Sequence, residues 1–225
     1  MTPRPAPLTL ALLLAAAGFG LACSDATGPV LPPPYEWRLI LPDPATQQTD
    51  TLSFHWPAAR LPLKIWVEDQ YNLPAQITLG IARWRGAIGA GRWNAGLVAD
   101  STVADVIVRA TTPPPAAPTP AFRRAGQVSS CEGATDIDTV ATRREFRVPV
   151  RIYIYPIAPG STELPACLRT VAAHELGHSL GIFQHSLDPL DLMYFNPAID
   201  AFTDRDRSTA QAVYRTPSDM VPVRP

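Results

Sequence analysis

Two histidines and a glutamate lie close together in the second half of the chain, at a spacing suited to metal chemistry. His174 and His178 are four residues apart, and Glu175 follows the first of them directly. On an α-helix, residues four apart differ by ~40° around the axis and ~6 Å along it, so both imidazoles can bind one ion from one helix face. Glu175 can then hold a water molecule at the ion without being a ligand itself.

A third histidine follows at a distance that suits a third ligand. His185 lies just beyond Gly181, a residue type that permits the left-handed turn at the end of a helix. No glutamate follows Glu175, which excludes the architecture in which a glutamate on a later helix is the third ligand. We therefore expect His174, His178 and His185 to bind one catalytic Zn²⁺ and to leave its fourth position open.

The pattern from His174 through Gly181, the following histidine and Met193 resembles that of the metzincin zinc endopeptidases, and among them the matrixins with their methionine turn. The resemblance implies a zincin-like fold and peptide hydrolysis with Glu175 as the general base. It makes Met193 an apolar floor beneath the histidines. It also places Phe195, Asn196 and Pro197 beside the pocket for the side chain that follows the cleaved bond.

The third histidine departs from the family pattern by one residue. Gln184 stands at the position where the family has its third histidine, and His185 is the next residue. The spacing from His185 to Met193 nevertheless agrees with the matrixins. We interpret the difference as an insertion of one residue after Gly181, which makes His185 the predicted ligand.

Three classes of function are compatible with this motif. The first is an active zinc endopeptidase that hydrolyses proteins or peptides outside the cytoplasm. The second is a catalytically inactive metzincin-like surface module that binds protein partners. The displaced histidine is the feature that favours this class. The third is a structural zinc domain, which is disfavoured because structural sites use four protein ligands. Glu175 favours the enzyme, because a binding module needs no general base beside a ligand.

The remaining sequence predicts an α+β fold around the motif. Alternating and β-branched residues predict strands at 63–67, 104–109 and 148–155. Ile77, Ile81, Trp84 and Ile88 recur at helical spacing, and further helices are expected at 165–180 and 202–215. The metal-binding helix and the closing C-terminal helix are expected to pack on a twisted mixed sheet.

Two further pairs of residues are candidates for a chemical role. Cys131 and Cys167 are expected to form a disulfide between the start of the metal-binding helix and the loop before the 148–155 strand, with two buried free thiols as the alternative. Asp136 and Asp138 could bind Ca²⁺, and the alternative is an ordinary polar loop.

The N-terminal sequence predicts that the protein is exported. Residues 1–22 combine an early arginine with an apolar stretch too short to span a membrane, as in a secretory signal peptide. Cys23 follows Ala22 in a pattern that resembles the bacterial lipobox, although Gly20 stands where that pattern prefers leucine. We therefore predict a cell-envelope lipoprotein of the outer membrane, with plain secretion as the alternative and the lipid anchor as the sole membrane contact.

Composition and length limit the rest of the organisation. The chain of 225 residues has a net charge of −1, which gives no electrostatic reason for binding nucleic acid. We expect a proline-rich tether at 23–57, one catalytic domain at 58–216 and a tail at 217–225. The protein is expected to be a monomer whose partner is a protein or peptide substrate.

Overall fold

The computed structural model describes residues 30–42, 49–89, 91–114, 123–124 and 130–224. The predicted signal segment and Cys23 lie outside the described residues. Residues 31–225 belong to one compact unit.

The helices are Leu73–Ile88 (α1), Leu164–Ser179 (α2) and Asp204–Arg215 (α3). The strands are Leu39–Pro42 (β1), Thr49–Leu52 (β2), Leu63–Val67 (β3), Ala95–Leu97 (β4), Val106–Arg109 (β5), Arg123–Arg124 (β6), Cys131–Asp136 (β7), Thr139–Val140 (β8), Glu145–Arg147 (β9), Val150–Pro156 (β10) and Val221–Val223 (β11).

A twisted mixed sheet forms the centre of the fold, with strand order β4-β3-β5-β10-β7-β6. Strands β4, β3, β5 and β10 pair in parallel, whereas β7 pairs antiparallel with β10 and with β6. The α+β class is therefore confirmed. Of the predicted strands, 63–67 has the expected bounds, and the other two start two residues later than expected.

Helices α1 and α2 pack closely against each other, and α2 lies on β7 and β10. A Cβ atom at Gly80 would come within 2.7 Å of the Leu176 side chain, so the small residue permits the close approach. Trp84 Nε1 donates a hydrogen bond to the Ala173 carbonyl at 2.8 Å. The predicted helical face of α1 is buried as expected.

The disulfide between Cys131 and Cys167 is present, as predicted. It joins the first residue of β7 to the fourth residue of α2. The expected location of Cys131 was wrong, because the residue begins a strand of the central sheet and does not lie in a loop. The bond therefore links the metal-binding helix directly to the strand that packs against it.

The predicted tether and tail boundaries require correction. β1 and β2 pair as an antiparallel hairpin, and Phe54 and Trp56 are fully buried. At the other end, β11 pairs in parallel with β9, and Met220 is buried. The packed region thus extends beyond 58–216 on both sides. These residues show no local periodicity because each packs on a distant element, as when Phe54 stacks on Phe146 with ring centroids 3.8 Å apart.

Asp136 and Asp138, which the sequence offered either as a calcium pair or as a polar loop, belong to no group of three or more metal-binding side chains among the described residues. Asp136 ends β7, and Asp138 forms an ion pair with Arg147 at 3.3 Å. Within the described part of the chain, three histidines are the group of metal-binding side chains that converges. Among the same residues, no helix is both long and apolar enough to cross a lipid bilayer.

Candidate metal centre

Helix α2 supplies two of the predicted ligands and the predicted base. His174, Glu175 and His178 are fully buried, with no exposed surface. The helix ends at Ser179, and Gly181 follows with a φ of +110°. A Cβ atom at Gly181 would lie 2.1 Å from the Phe54 carbonyl oxygen, so the position requires glycine for both conformation and space. This turn directs the chain from the helix end back toward His185.

The three predicted histidines converge. His178 Nε2 lies 3.1 Å from His174 Nε2 and 3.3 Å from His185 Nε2. The ligand atoms of the group all lie within 4.8 Å of one another, so the three histidines are positioned to bind a metal ion. Gln184 lies outside the cluster, since its side-chain amide donates to the Arg38 carbonyl at 3.0 Å. His185, the residue that departs from the family spacing, is therefore the one in the cluster.

Hydrogen bonds determine which nitrogen of each helical histidine faces the centre. His174 Nδ1 lies 2.8 Å from the Leu192 carbonyl oxygen, and His178 Nδ1 lies 2.6 Å from the Ile182 carbonyl oxygen. Because a carbonyl only accepts, each Nδ1 carries the proton and each Nε2 presents a lone pair. Two such lone pairs repel each other at 3.1 Å, and a cation between them removes the repulsion.

The separation of the nitrogen atoms fits a small tetrahedral ion. Zn–N bonds of ~2.0–2.1 Å at tetrahedral angles give an edge of about 3.3 Å between ligand atoms. Both measured Nε2 separations from His178 agree with that edge. The imidazole donors and these two separations therefore suit an ion of the size of zinc.

The electrostatic surroundings keep the deepest ligand neutral. Burial, followed by the charge of His185, lowers the pKa of His174 from its ordinary value of 6.5 to about 3. A neutral imidazole is the form that binds a metal ion. His174 is thus in its metal-binding form at neutral pH.

Glu175 points toward the sheet strand β7. Its Oε2 accepts a hydrogen bond of 2.6 Å from the Thr135 hydroxyl. Gly133 lies beside it, and a Cβ atom there would come within 2.5 Å of Glu175 Oε1. Thr135 and Gly133 hold the carboxylate in place, and the sequence analysis missed both because nothing in their local pattern indicates proximity to α2.

Met193 packs against α2. Its side chain is fully buried, and a Cβ atom at Gly177 would lie 2.5 Å from the Met193 sulfur. The Met193 carbonyl accepts a 2.8 Å hydrogen bond from the Ser186 amide. The chain from His185 to Met193 therefore forms a closed loop, and Leu192 in this loop contacts His174.

A buried aspartate of α3 supports this loop. Asp206 Oδ2 accepts from the Leu192 amide at 2.9 Å, and the Leu192 carbonyl is the partner of His174 Nδ1. Asp206 also forms a capping box with Thr203 at the start of α3. The capping pattern is visible in the sequence, but its link to the metal centre is not.

The residues expected to border a substrate pocket lie near His185. The Phe195 ring is half exposed and contacts the His185 ring edge-on, with centroids 5.3 Å apart. Asn196 is exposed and Pro197 is buried. On another side of His185, a cavity of about 540 Å³ opens between residues 32–36 and 184–188. The third histidine thus borders an open cavity.

Comparison with known proteins does not assign the chain to a family. No protein-family model matches it, and no curated protein matches it. The functional argument therefore depends on the residues of the site and on their arrangement. The histidine cluster, the buried glutamate next to His174 in the sequence and the buried methionine against α2 are the features that carry that argument.

Proposed function

We propose that the protein is an extracytoplasmic zinc-dependent endopeptidase of the metzincin type, similar to the matrixins. The observation that carries this proposal is the convergence of three imidazoles whose ligand atoms lie within 4.8 Å of one another, with Glu175 adjacent in sequence to His174. Imidazole donors in this geometry suit Zn²⁺. The α+β fold is compatible with the zincin-like architecture that we assign to it.

The residues of the chain have distinct roles in the proposed hydrolysis. His174, His178 and His185 would hold one zinc ion. When bound, zinc supplies Lewis-acid polarisation of the scissile carbonyl and lowers the pKa of a water molecule. Glu175 takes the proton of the attacking water and returns it to the leaving amine. Thr135 holds one oxygen of Glu175 and so limits the rotation of the carboxylate.

The inactive surface module is the second candidate, and the displaced third histidine was its main argument. The position of His185 in the cluster weakens that argument, because the third nitrogen is supplied in spite of the insertion. A structural zinc site is disfavoured, because the group of potential ligands among the described residues has three members. The Cys131–Cys167 disulfide supports a location in an oxidising compartment.

Substitution of the base tests the assignment of Glu175. Glu175→Ala removes the carboxylate and keeps all three nitrogen ligands, so we expect zinc content to stay at wild-type level. Hydrolysis of casein should fall ~10²–10⁴-fold, the range for loss of a general base. Metal analysis and a casein assay on the same preparation give both values.

Glu163→Ala is the matched control for this experiment. Glu163 is an exposed glutamate just before the first residue of the same helix, far from the histidines. It should retain both zinc and hydrolysis. Turnover near the wild-type rate in Glu175→Ala, with zinc still bound, would exclude Glu175 as the base.

A further inference from the structure

The chain between residues 31 and 42, which we call the N-terminal strap, crosses the loop that carries the third ligand. The Phe183 amide donates to the Trp37 carbonyl at 2.7 Å, and the Gln184 side chain donates to the Arg38 carbonyl at 3.0 Å. These two donors immediately precede His185. The strap is therefore part of the surroundings of the metal centre, although it is distant from the histidines in sequence.

Tyr35 fixes the strap to α3. Its hydroxyl donates to Asp206 Oδ1 at 3.1 Å, and its amide donates to the Thr209 hydroxyl at 3.2 Å. Burial raises the pKa of Tyr35 well above its ordinary value of 10, so the hydroxyl keeps the proton that it donates. The strap thus places a hydrogen-bond donor on the carboxylate that supports the loop from His185 to Met193.

A continuous series of hydrogen bonds connects Tyr35 with a metal ligand. Asp206 Oδ2 accepts from the Leu192 amide at 2.9 Å. Asp206 Oδ1 accepts from Tyr35 and, at 3.4 Å, from the Met193 amide, whose peptide group contains the Leu192 carbonyl. The Leu192 carbonyl in turn accepts from His174 Nδ1 at 2.8 Å. Partners of this kind fix the tautomer and the ring orientation of a metal-binding histidine.

We propose that Tyr35 is a positioning residue of the metal centre, acting on His174 through Asp206 and Leu192. Its hydroxyl holds the Asp206 carboxylate in the orientation in which it accepts from the Leu192 and Met193 amides, and the peptide group of the Met193 amide contains the Leu192 carbonyl that His174 contacts. Without that hydroxyl, the buried carboxylate loses one of its donors and the histidine ring is held less firmly. The proposal rests on metal binding by the three histidines and does not depend on peptide hydrolysis.

Cobalt binding by Tyr35→Phe in the full chain tests the proposal. Co²⁺ is the probe, because its affinity can be measured by competition and its visible absorption reports ligand geometry. Removal of one partner of a ligand costs ~10–100-fold in metal affinity, and Tyr35 is one step further away. We expect a loss of about 3–10-fold in Co²⁺ affinity together with a changed absorption spectrum.

Tyr214→Phe is the matched control. Tyr214 is on the same helix as Asp206, and its ring packs beside His55. Loss of its hydroxyl should leave both the Co²⁺ affinity and the spectrum at wild-type values. Equal changes in the two variants, or no change in Tyr35→Phe, would overturn the proposal. A lower Tm in Tyr35→Phe with an unchanged spectrum would also overturn it, because that result describes a purely structural contact.

The route through Asp206 can be tested separately. In an Asp206→Asn background, the Tyr35→Phe substitution should add little to the loss of Co²⁺ affinity, since the acceptor has already changed. If the fold losses in Co²⁺ affinity of the two single variants multiply fully in the double variant, Tyr35 acts by another route and the proposal is overturned. Wild-type protein that binds no Co²⁺ would contradict the metal centre itself, which separates that failure from failure of the Tyr35 assignment.

Discussion

At the scale of single residues, the tautomers of the histidines carry the metal assignment. Two backbone carbonyls accept from the Nδ1 atoms of His174 and His178, so their Nε2 lone pairs face a common point. Such an arrangement is unfavourable without a cation. His185 completes the cluster although it lies one residue beyond the position found in the family that the motif resembles.

Substitution of neighbouring residues distinguishes the third ligand. His185→Ala should lose most of the zinc affinity and most of the hydrolysis, because imidazole is a much stronger zinc donor than the groups that could replace it. Gln184→Ala should retain most of both, since its amide faces the Arg38 carbonyl and the adjacent Phe183 hydrogen bond remains. Isothermal titration with Zn²⁺ on metal-free protein measures the difference.

The opposite ranking would contradict the geometry of the site. If Gln184→Ala lost zinc while His185→Ala kept it, the insertion would not lie before His185. If both variants kept full zinc affinity, the inactive-module alternative would gain support.

The sequence identified site residues where the chemistry of the site requires a residue type at a fixed spacing. The three histidines, Gly181 and Met193 were identified because metal ligands and a helix end impose residue types at fixed intervals. Thr135, Asp206 and Tyr35 were not identified. Each of these acts through a contact between distant parts of the chain, and hydroxyl or carboxylate side chains at such positions have no distinctive local pattern.

At the scale of elements, the disulfide joins the strand and the helix that together hold Glu175. Cys131 begins β7, which also contains Gly133 and Thr135, and Cys167 lies on α2. Because 36 residues separate the two cysteines, the bond restricts a long loop of the unfolded chain. It therefore stabilises the pair of elements on which the carboxylate depends.

Removal of this bond should lower stability measurably. The loop-closure entropy predicts that a Cys131→Ala/Cys167→Ala double variant loses about 4 kcal/mol in its free energy of unfolding. Urea unfolding of oxidised wild type, reduced wild type and the double variant measures the loss. Reduction should shift the wild-type midpoint and leave the double variant unchanged. Identical midpoints for oxidised and reduced wild type would contradict the disulfide.

The element predictions show what local patterns can and cannot indicate. Helix α2 begins and ends within one residue of its predicted bounds, since its buried face and the following glycine are both local signals. The β1–β2 hairpin and the strand β11 were assigned to a tether and a tail. Their strands are short and their partners distant, so alternation over three or four residues was too little to predict them.

At the scale of the whole molecule, the location of the protein depends on Cys23, which lies outside the described residues. If Cys23 is acylated, Cys23→Ser should move the protein from the membrane fraction to the soluble fraction and block signal processing at that site. Fractionation followed by immunoblotting of wild type and Cys23→Ser measures the distribution. An unchanged distribution would indicate plain secretion.

The central claim is that the three histidines hold one zinc ion used for peptide hydrolysis. The most direct measurement combines zinc content with casein hydrolysis on the same purified protein, before and after treatment with a chelator and after zinc is restored. We predict roughly one zinc per chain, hydrolysis that disappears with the metal, and recovery when zinc returns. Hydrolysis that persists after complete removal of zinc, or a full zinc content with no hydrolysis of casein or gelatin, would contradict the claim.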